Sequence, residues 1–320
     1  MSIIEKATRR LQELERAGIS VPYGPGVAQP GVGVVRPPSA GEVAETSASN
    51  SAPAADTRRL RPSSPSHQST EIAIDSVRLG QLGYLVPGAL RSDVADEFRV
   101  IKRPLLANTK AVAPRQIARA NLIMVTSALP GEGKTFCALN LALSIATEVD
   151  SSVLLVDADV LRPALLERIG VESKHLGLLD LLANPDMDVA EVLLKTNIPK
   201  LSLIPAGLPR IDSTELLASA AMEQLLLDLS EKYRERIVIF DAPPLLATTE
   251  AKVLASRVGQ ILVVVDESRA HQDEVRKAFA LLKESPVVLA ILNKSRHRAE
   301  ATRYAYYADN EQQSRAMSRQ

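Results

Sequence analysis

From about residue 120 onward the chain alternates short aliphatic runs with stretches whose apolar residues recur at helical spacing. The runs of strand length are Leu122 to Thr126, Val153 to Val156, Leu201 to Ile204, Ile237 to Phe240, Ile261 to Val265 and Val287 to Leu292. Helices fit between them, most clearly over Lys134 to Glu148, Ser213 to Tyr233, Lys252 to Arg257 and Gln272 to Lys283. Such alternation predicts an α/β fold, a mostly parallel sheet with helices on both faces. There is no internal repeat. After Asn293 the aliphatic pattern stops, leaving a polar, flexible tail to Gln320.

Upstream the pattern changes twice. Ser92 to Leu105 reads as a helix with Ser92 as its N-cap, ending near Pro104. Residues 19–71 are rich in Pro, Gly, Ser and Ala and poor in large apolar side chains. Such a segment buries too little surface to offset its ordering entropy, and it reads as a disordered linker. At the start, Ile3, Ile4, Ala7, Leu11 and Leu14 define the apolar stripe of a short amphipathic helix from Ser2 to Ala17, closed by Gly18. A helix that short is marginal alone in water, so its stripe docks either on a partner or on the main domain. The expected divisions are 1–18, 19–71, a helical extension over 72–114, the main domain over 115–295 and a tail over 296–320.

Composition narrows the class. Lys plus Arg number 38 and Asp plus Glu 38, so the net charge is zero and no nucleic-acid partner is expected. Aromatics are only 3 % and Trp is absent, which calls for an aliphatic core of the kind found in buried parallel sheets. The single cysteine, Cys137, excludes an internal disulfide framework and an all-cysteine metal site. The longest apolar run, Val287 to Leu292, is far below the roughly 20 residues that span a bilayer. Glu5 and Lys6 fall where a signal peptide needs apolar residues, so a cytoplasmic location is expected.

The chemistry-bearing residues sit at strand ends. Pro130-Gly131-Glu132-Gly133-Lys134-Thr135, with Phe136 next, lies between the first aliphatic run and a helix, where a phosphate-binding loop belongs. Glycines let successive N–H groups point at phosphate oxygens, and the helix presents its positive end. Lys134 would reach the β- and γ-phosphates and Thr135 would ligate Mg²⁺. Ala128 stands where the usual pattern has its first glycine. Two later runs end in Asp157-Ala158-Asp159 and Asp241-Ala242-Pro243-Pro244. In a parallel sheet the ligand crevice lies at the C-terminal strand ends, so Asp157, Asp159 and Asp241 should converge on the phosphate loop, where carboxylates serve Mg²⁺. The nucleotide reads as ATP. Asn293-Lys294 is followed by Ser295 and Arg296, without the aspartate that pairs with guanine, and Asn293 either bonds an adenine edge or caps a turn. Three of the six tyrosines, Tyr304, Tyr306 and Tyr307, cluster in the tail, either as exposed acceptors or as a patch packing on the domain.

The ordered set of phosphate loop, Asp157-Ala158-Asp159, Asp241-Ala242-Pro243-Pro244 and tyrosine cluster resembles the bacterial tyrosine kinases of exopolysaccharide and capsule synthesis, over roughly Asp93 to Tyr307. The head Met1 to Ala7 and the segment Phe98 to Leu106 further resemble the exosortase-associated tyrosine autokinases. The resemblance implies a P-loop NTPase fold that uses ATP and Mg²⁺. It places Lys134 and Thr135 in Walker A, Asp157 and Asp159 in Walker A′ and Asp241 in Walker B. Asp157 would activate the tyrosine hydroxyl, with Asp159 and Asp241 on the metal and Tyr304, Tyr306 and Tyr307 as autophosphorylation sites. It also implies a homo-oligomer, a ring in some members, held through Asp96, Arg99 and Lys102. A membrane chain-length determinant protein and a cognate tyrosine phosphatase would be its partners. Three positions, in two motifs, depart from the family pattern. Leu161 fills the Walker A′ arginine place with Arg162 following, and Asp96 and Lys102 stand for the Glu and Arg of the oligomerisation helix. The rivals are a partition-type ATPase switch, against which Leu129 stands where that class has its signature lysine, and a scaffold whose ATP site regulates assembly without kinase activity.

Overall fold

The aliphatic runs form six strands of one eight-stranded sheet. The computed structural model describes residues 70–88, 92–172 and 174–295. The expected head helix, most of the linker and the tyrosine-bearing tail lie outside them. The strands are β1 (Thr70–Ile72), β2 (Leu122–Ser127), β3 (Ser152–Asp157), β4 (Leu194–Thr196), β5 (Leu201–Ile204), β6 (Arg236–Asp241), β7 (Gln260–Asp266) and β8 (Val288–Asn293), in the order β1-β4-β5-β3-β6-β2-β7-β8. Every pairing is parallel except that between β4 and β5. β1 and β4 were not foreseen, and β1 falls at the end of the segment expected to be linker.

Ten helices are described: α1 (Ser76–Gln81), α2 (Asp93–Thr109), α3 (Lys134–Ala146), α4 (Leu165–Ile169), α5 (Leu178–Ala183), α6 (Val189–Val192), α7 (Ser213–Ala218), α8 (Ala220–Glu231), α9 (Glu250–Ala255) and α10 (Gln272–Ala280). Successive strand residues point to opposite faces, and both faces are covered. Leu122, Met124, Leu154, Val156, Val238 and Phe240 pack with Leu178, Leu217, Leu226 and Leu254. Ile123, Val125, Val153, Leu155 and Ile239 pack with Leu79, Phe98, Leu105 and α3. Every residue of α3 from Cys137 to Ala146 is buried, as expected of a helix apolar all round. Fully burying each Leu or Ile there contributes about 1.5–3 kcal/mol.

Two helix boundaries differ from expectation for local reasons. Ser92 caps α2 as predicted, its hydroxyl accepting the Ala95 N–H at 3.1 Å, but the helix runs through Pro104 to Thr109. The missing Pro104 N–H leaves the Val100 carbonyl unmatched. Val100 lies on the exposed side, where water can serve that carbonyl, while Leu105 just beyond is fully buried. The long helix expected over Ser213 to Tyr233 is two. Ser219 takes extended backbone, and its hydroxyl accepts the Met222 N–H at 3.3 Å as the N-cap of α8.

Candidate active site

The sheet order decides the site. β3, β6 and β2 are adjacent and parallel, and the register sets Asp157 beside Asp241 and Asp241 beside Val125. The acids ending β3 and β6 therefore lie on the rim from which the phosphate loop leaves β2. Thr126 and Ser127 secure that rim. The Thr126 hydroxyl donates to the Pro243 carbonyl at 2.7 Å, and the Ser127 carbonyl accepts from the Leu245 N–H at 2.8 Å.

The loop's glycines are required where the backbone needs them. Gly131 and Gly133 have φ of +85° and +99°, a region that disfavours a β-carbon. Ala128 is not among the positive-φ residues, so alanine in place of the usual first glycine costs nothing there.

Lys134, the first residue of α3, points into the acids. Its ammonium is 2.6 Å from Asp159 Oδ2, 3.7 Å from Asp241 Oδ1 and 3.4 Å from the Thr135 hydroxyl. Burial works against its charge, yet the Asp241 and Asp159 carboxylates hold its pKa above the ordinary lysine value. Asp157, 1 % exposed, accepts the Asp159 N–H and the Leu165 N–H, each at 3.2 Å. Its pKa lies well above the usual carboxylate range, first through burial and then through the neighbouring Asp241 charge. Asp241 is fully buried and neither of its oxygens has a hydrogen-bond partner. Burial pushes its pKa up to about 6, against the pull of the Lys134 ammonium.

A buried carboxylate with both oxygens unmatched is costly to keep unless something binds it. Among the described residues no three His, Cys, Asp or Glu form a ready-made cage. Mg²⁺ needs none, since it keeps several waters and takes one or two carboxylates with phosphate oxygens. The Thr135 hydroxyl, Asp159 and Asp241 are the right donors for it.

Other expected contacts fall elsewhere. The Phe136 ring packs at 5.0 Å on Tyr84 and 6.5 Å from Phe98, so only its backbone is free for a nucleotide. The Glu132 side chain is buried and accepts the Leu129 N–H at 2.7 Å and the Asp266 N–H at 3.3 Å, which makes it a strut inside the loop. The Asn293 amide donates to the Glu132 carbonyl at 2.8 Å. Pro130 and Gly131 are exposed at the loop tip. Leu161 and Arg162 are both exposed on the rim after β3.

Asp96, Arg99 and Lys102 separate into two environments. Asp96 and Arg99 pair on the exposed side of α2. Lys102 turns inward, 5 % exposed, with its ammonium 2.6 Å from the Ser144 carbonyl and 2.7 Å from Glu148 Oε1. There it supplies a cation to the C-terminal end of α3, where unmatched carbonyls carry negative charge.

Sequence reasoning missed Asp266 and Lys294. Lys294 Nζ donates to Asp266 Oδ2 at 2.7 Å and to the Gly131 carbonyl at 2.8 Å. The bonds from Lys294 and then Ser268 hold the Asp266 carboxyl down to about 2. Asp266 ends β7 as Asp241 ends β6, so the strand-end signal was present there too.

No helix among the described residues is long and apolar enough to cross a membrane. A sequence profile described as an AAA domain matches residues 120–282. Tyrosine-protein kinase YwqD of Bacillus subtilis is 30 % identical over 187 residues, covering 58 % of this chain and 76 % of that protein. Tyrosine-protein kinase ptk of Acinetobacter johnsonii is 32 % identical over 170 residues, 53 % of this chain but 22 % of that protein. The chain thus spans about a fifth of the length of several relatives it matches. The solved kinase domain of Escherichia coli tyrosine kinase ETK has a TM-score of 0.56 at 26 % identity, over 76 % of this chain and 85 % of that one. The VpsO kinase domain has a TM-score of 0.53 at 30 % identity, over 63 % and 94 %. With the loop, the lysine and the three acids on one rim, and these likenesses beside them, the chain belongs to the bacterial tyrosine-kinase family and carries its AAA-type nucleotide domain.

Proposed function

We propose that this protein is an ATP-dependent tyrosine kinase that phosphorylates Tyr304, Tyr306 and Tyr307 of a second copy of itself. The observation that carries the reading is Asp241, buried at the foot of the phosphate loop with neither oxygen hydrogen-bonded and the Lys134 ammonium facing it at 3.7 Å. The lysine partly neutralises acids that a metal would otherwise serve. When nucleotide enters, the Lys134 ammonium transfers from Asp159 to the phosphates and frees Asp159, with Asp241 and Thr135, for Mg²⁺. Bound there, Mg²⁺ supplies neutralisation of charge on the phosphoryl oxygens.

Tyrosine ionises near pKa 10, so only about one phenol in a thousand is phenolate at pH 7. A positioned base compensates. By the family resemblance Asp157, at the strand end beside Asp241, is the group that accepts the phenol proton. The phenol oxygen bonds to the γ-phosphorus as the bond to the β–γ bridging oxygen breaks, and ADP leaves. Tyr304 lies eleven residues beyond Asn293, a reach of at most about 40 Å. That span serves a neighbour's site as well as its own, and the exposed Asp96 and Arg99 offer charges for pairing copies.

The names of the relatives support tyrosine as acceptor. The sequence resemblance supports a role in exopolysaccharide polymerisation or export. Its setting would be the cytoplasmic face of the membrane, beside a chain-length determinant protein and a cognate phosphatase. Mixing a Lys134→Met protein that keeps residues 296–320 with an active protein lacking them tests the reading. Phosphotyrosine on the inactive partner is expected. Label that stays off that partner overturns transfer in trans. Release of free phosphate with no phosphotyrosine on full-length wild-type protein overturns the kinase in favour of an ATPase switch.

A further inference from the structure

The phosphate loop is held from outside by the end of β8. Lys294 Nζ donates to the Gly131 carbonyl and Asn293 Nδ2 to the Glu132 carbonyl, each at 2.8 Å. These carbonyls belong to two consecutive peptide groups. In a trans peptide the C=O and the following N–H point in opposite directions. Pinning the Gly131 carbonyl towards β8 therefore turns the Glu132 N–H away from β8, and pinning the Glu132 carbonyl does the same for the Gly133 N–H. Among the described residues neither N–H donates to a protein acceptor. Consecutive N–H groups left free and turned to one side form a nest for an anion.

Three further features show that the arrangement is built. Lys294 holds a left-handed backbone, φ +56°, which a residue with a β-carbon adopts only when its surroundings impose it. Asp266, with no exposed surface, fixes the lysine head at 2.7 Å. Asn293 lies so close to Gly133 that a β-carbon there would sit 2.1 Å from Nδ2. The glycine is thus demanded by the β8 clamp as well as by its own φ.

We propose that Asn293 and Lys294 are positioning residues for phosphate binding, which preset the Glu132 and Gly133 N–H groups by holding the two carbonyls behind them. This gives Asn293 a task on the loop in place of the adenine edge. The proposal rests on the reading that the loop binds a nucleotide's phosphates, and its test separates the two. Full-length protein is titrated by calorimetry with Mg²⁺-tripolyphosphate, which has no base, and with Mg²⁺-ADP.

Lys294→Met should weaken both ligands about tenfold, as expected for a charge-assisted hydrogen bond of roughly 1.4 kcal/mol or more. Lys294→Arg should recover most of the loss. Asn293→Ala should likewise weaken both ligands. Because Lys294→Met strands the buried Asp266 carboxylate, the double variant Lys294→Met with Asp266→Asn repeats the measurement without an unpaired charge. Loss of ADP affinity with tripolyphosphate affinity intact would assign these residues to the base and overturn the proposal. Unchanged affinity for both ligands in the folded double variant would overturn it too. Failure of the kinase reading shows separately, as wild-type protein that binds tripolyphosphate but forms no phosphotyrosine.

Discussion

The two sides of the phosphate loop are built to opposite rules. Towards β3 and β6 stand Lys134, Asp157, Asp159 and Asp241, three acids and one lysine with two carboxylate oxygens unmatched. Towards β7 and β8 stand Glu132, Asp266, Asn293 and Lys294, whose bonds close on one another and on the loop backbone. On the first side burial raises the Asp157 and Asp241 carboxyls above their ordinary range, and on the second Lys294 and Ser268 hold Asp266 down to about 2. Polar groups left hungry in a buried place mark where a ligand completes the structure, and groups fully paired mark what holds the loop still. Burial alone would not distinguish them, since Asp241 and Asp266 are equally inaccessible.

The comparison breaks most visibly at Lys134. Lys134→Met removes the ammonium that pairs with Asp159 and Asp241 and should lower phosphotransfer at least a hundredfold, the scale set by losing one transition-state charge partner. Steady-state rates beside a circular-dichroism check of folding would measure it. A fall of only a few fold would mean that Lys134 serves the acids alone.

A pH titration of nucleotide-free protein comes next. The Asp241 pKa is about 6 in the fold against 3.8 ordinarily, so the folded chain keeps a proton that the unfolded chain has lost. Stability from this group is complete below about pH 4 and is lost as pH rises through 6, by up to about 3 kcal/mol. Denaturant unfolding from pH 4 to 7 should show that decline, and Asp241→Asn should reduce it, leaving the share of the Asp157 carboxyl, which burial also raises. Asp266 behaves in the opposite sense and in another window. Its lowered pKa gives stability above pH 4 that falls away only as the pH approaches 2.

The smallest effects contrast two loop positions. Gly133→Ala meets both a positive φ and the Asn293 amide, and should destabilise the loop by about 1–3 kcal/mol. Ala128→Gly restores the first glycine of the general phosphate-loop pattern where the backbone does not require it, and thermal melting should move by less than about 1 kcal/mol equivalent.

Much of this was legible in the chain. The central strands announced themselves because each is an unbroken aliphatic run buried on both faces. β1 and β4 did not, since Thr70-Glu71-Ile72 and Leu194-Lys195-Thr196 are three residues long with mixed polarity. Strand-end position brought Asp157, Asp159 and Asp241 together with the loop, because parallel strands deliver their C-terminal ends to one rim. The same logic covered Asp266, but its use depends on Lys294, and a lysine's partner 28 positions away leaves no local trace. The resemblance groups Lys102 with Asp96 and Arg99, and what the chain alone does not show is that the packing of α2 on α3 turns the Lys102 stem inward. Phe136 follows Thr135 in sequence, yet the helix carries its ring round to Tyr84.

The central claim is that the under-satisfied rim delivers phosphate to the tyrosines that follow β8. Intact-mass measurement of wild-type protein after Mg²⁺-ATP, before and after phosphatase, with fragmentation mapping of residues 296–320, tests it directly. Added phosphates on Tyr304, Tyr306 or Tyr307 that are removed by phosphatase and absent from Lys134→Met are predicted. An unchanged mass, or phosphate confined to residues outside that cluster, would contradict it.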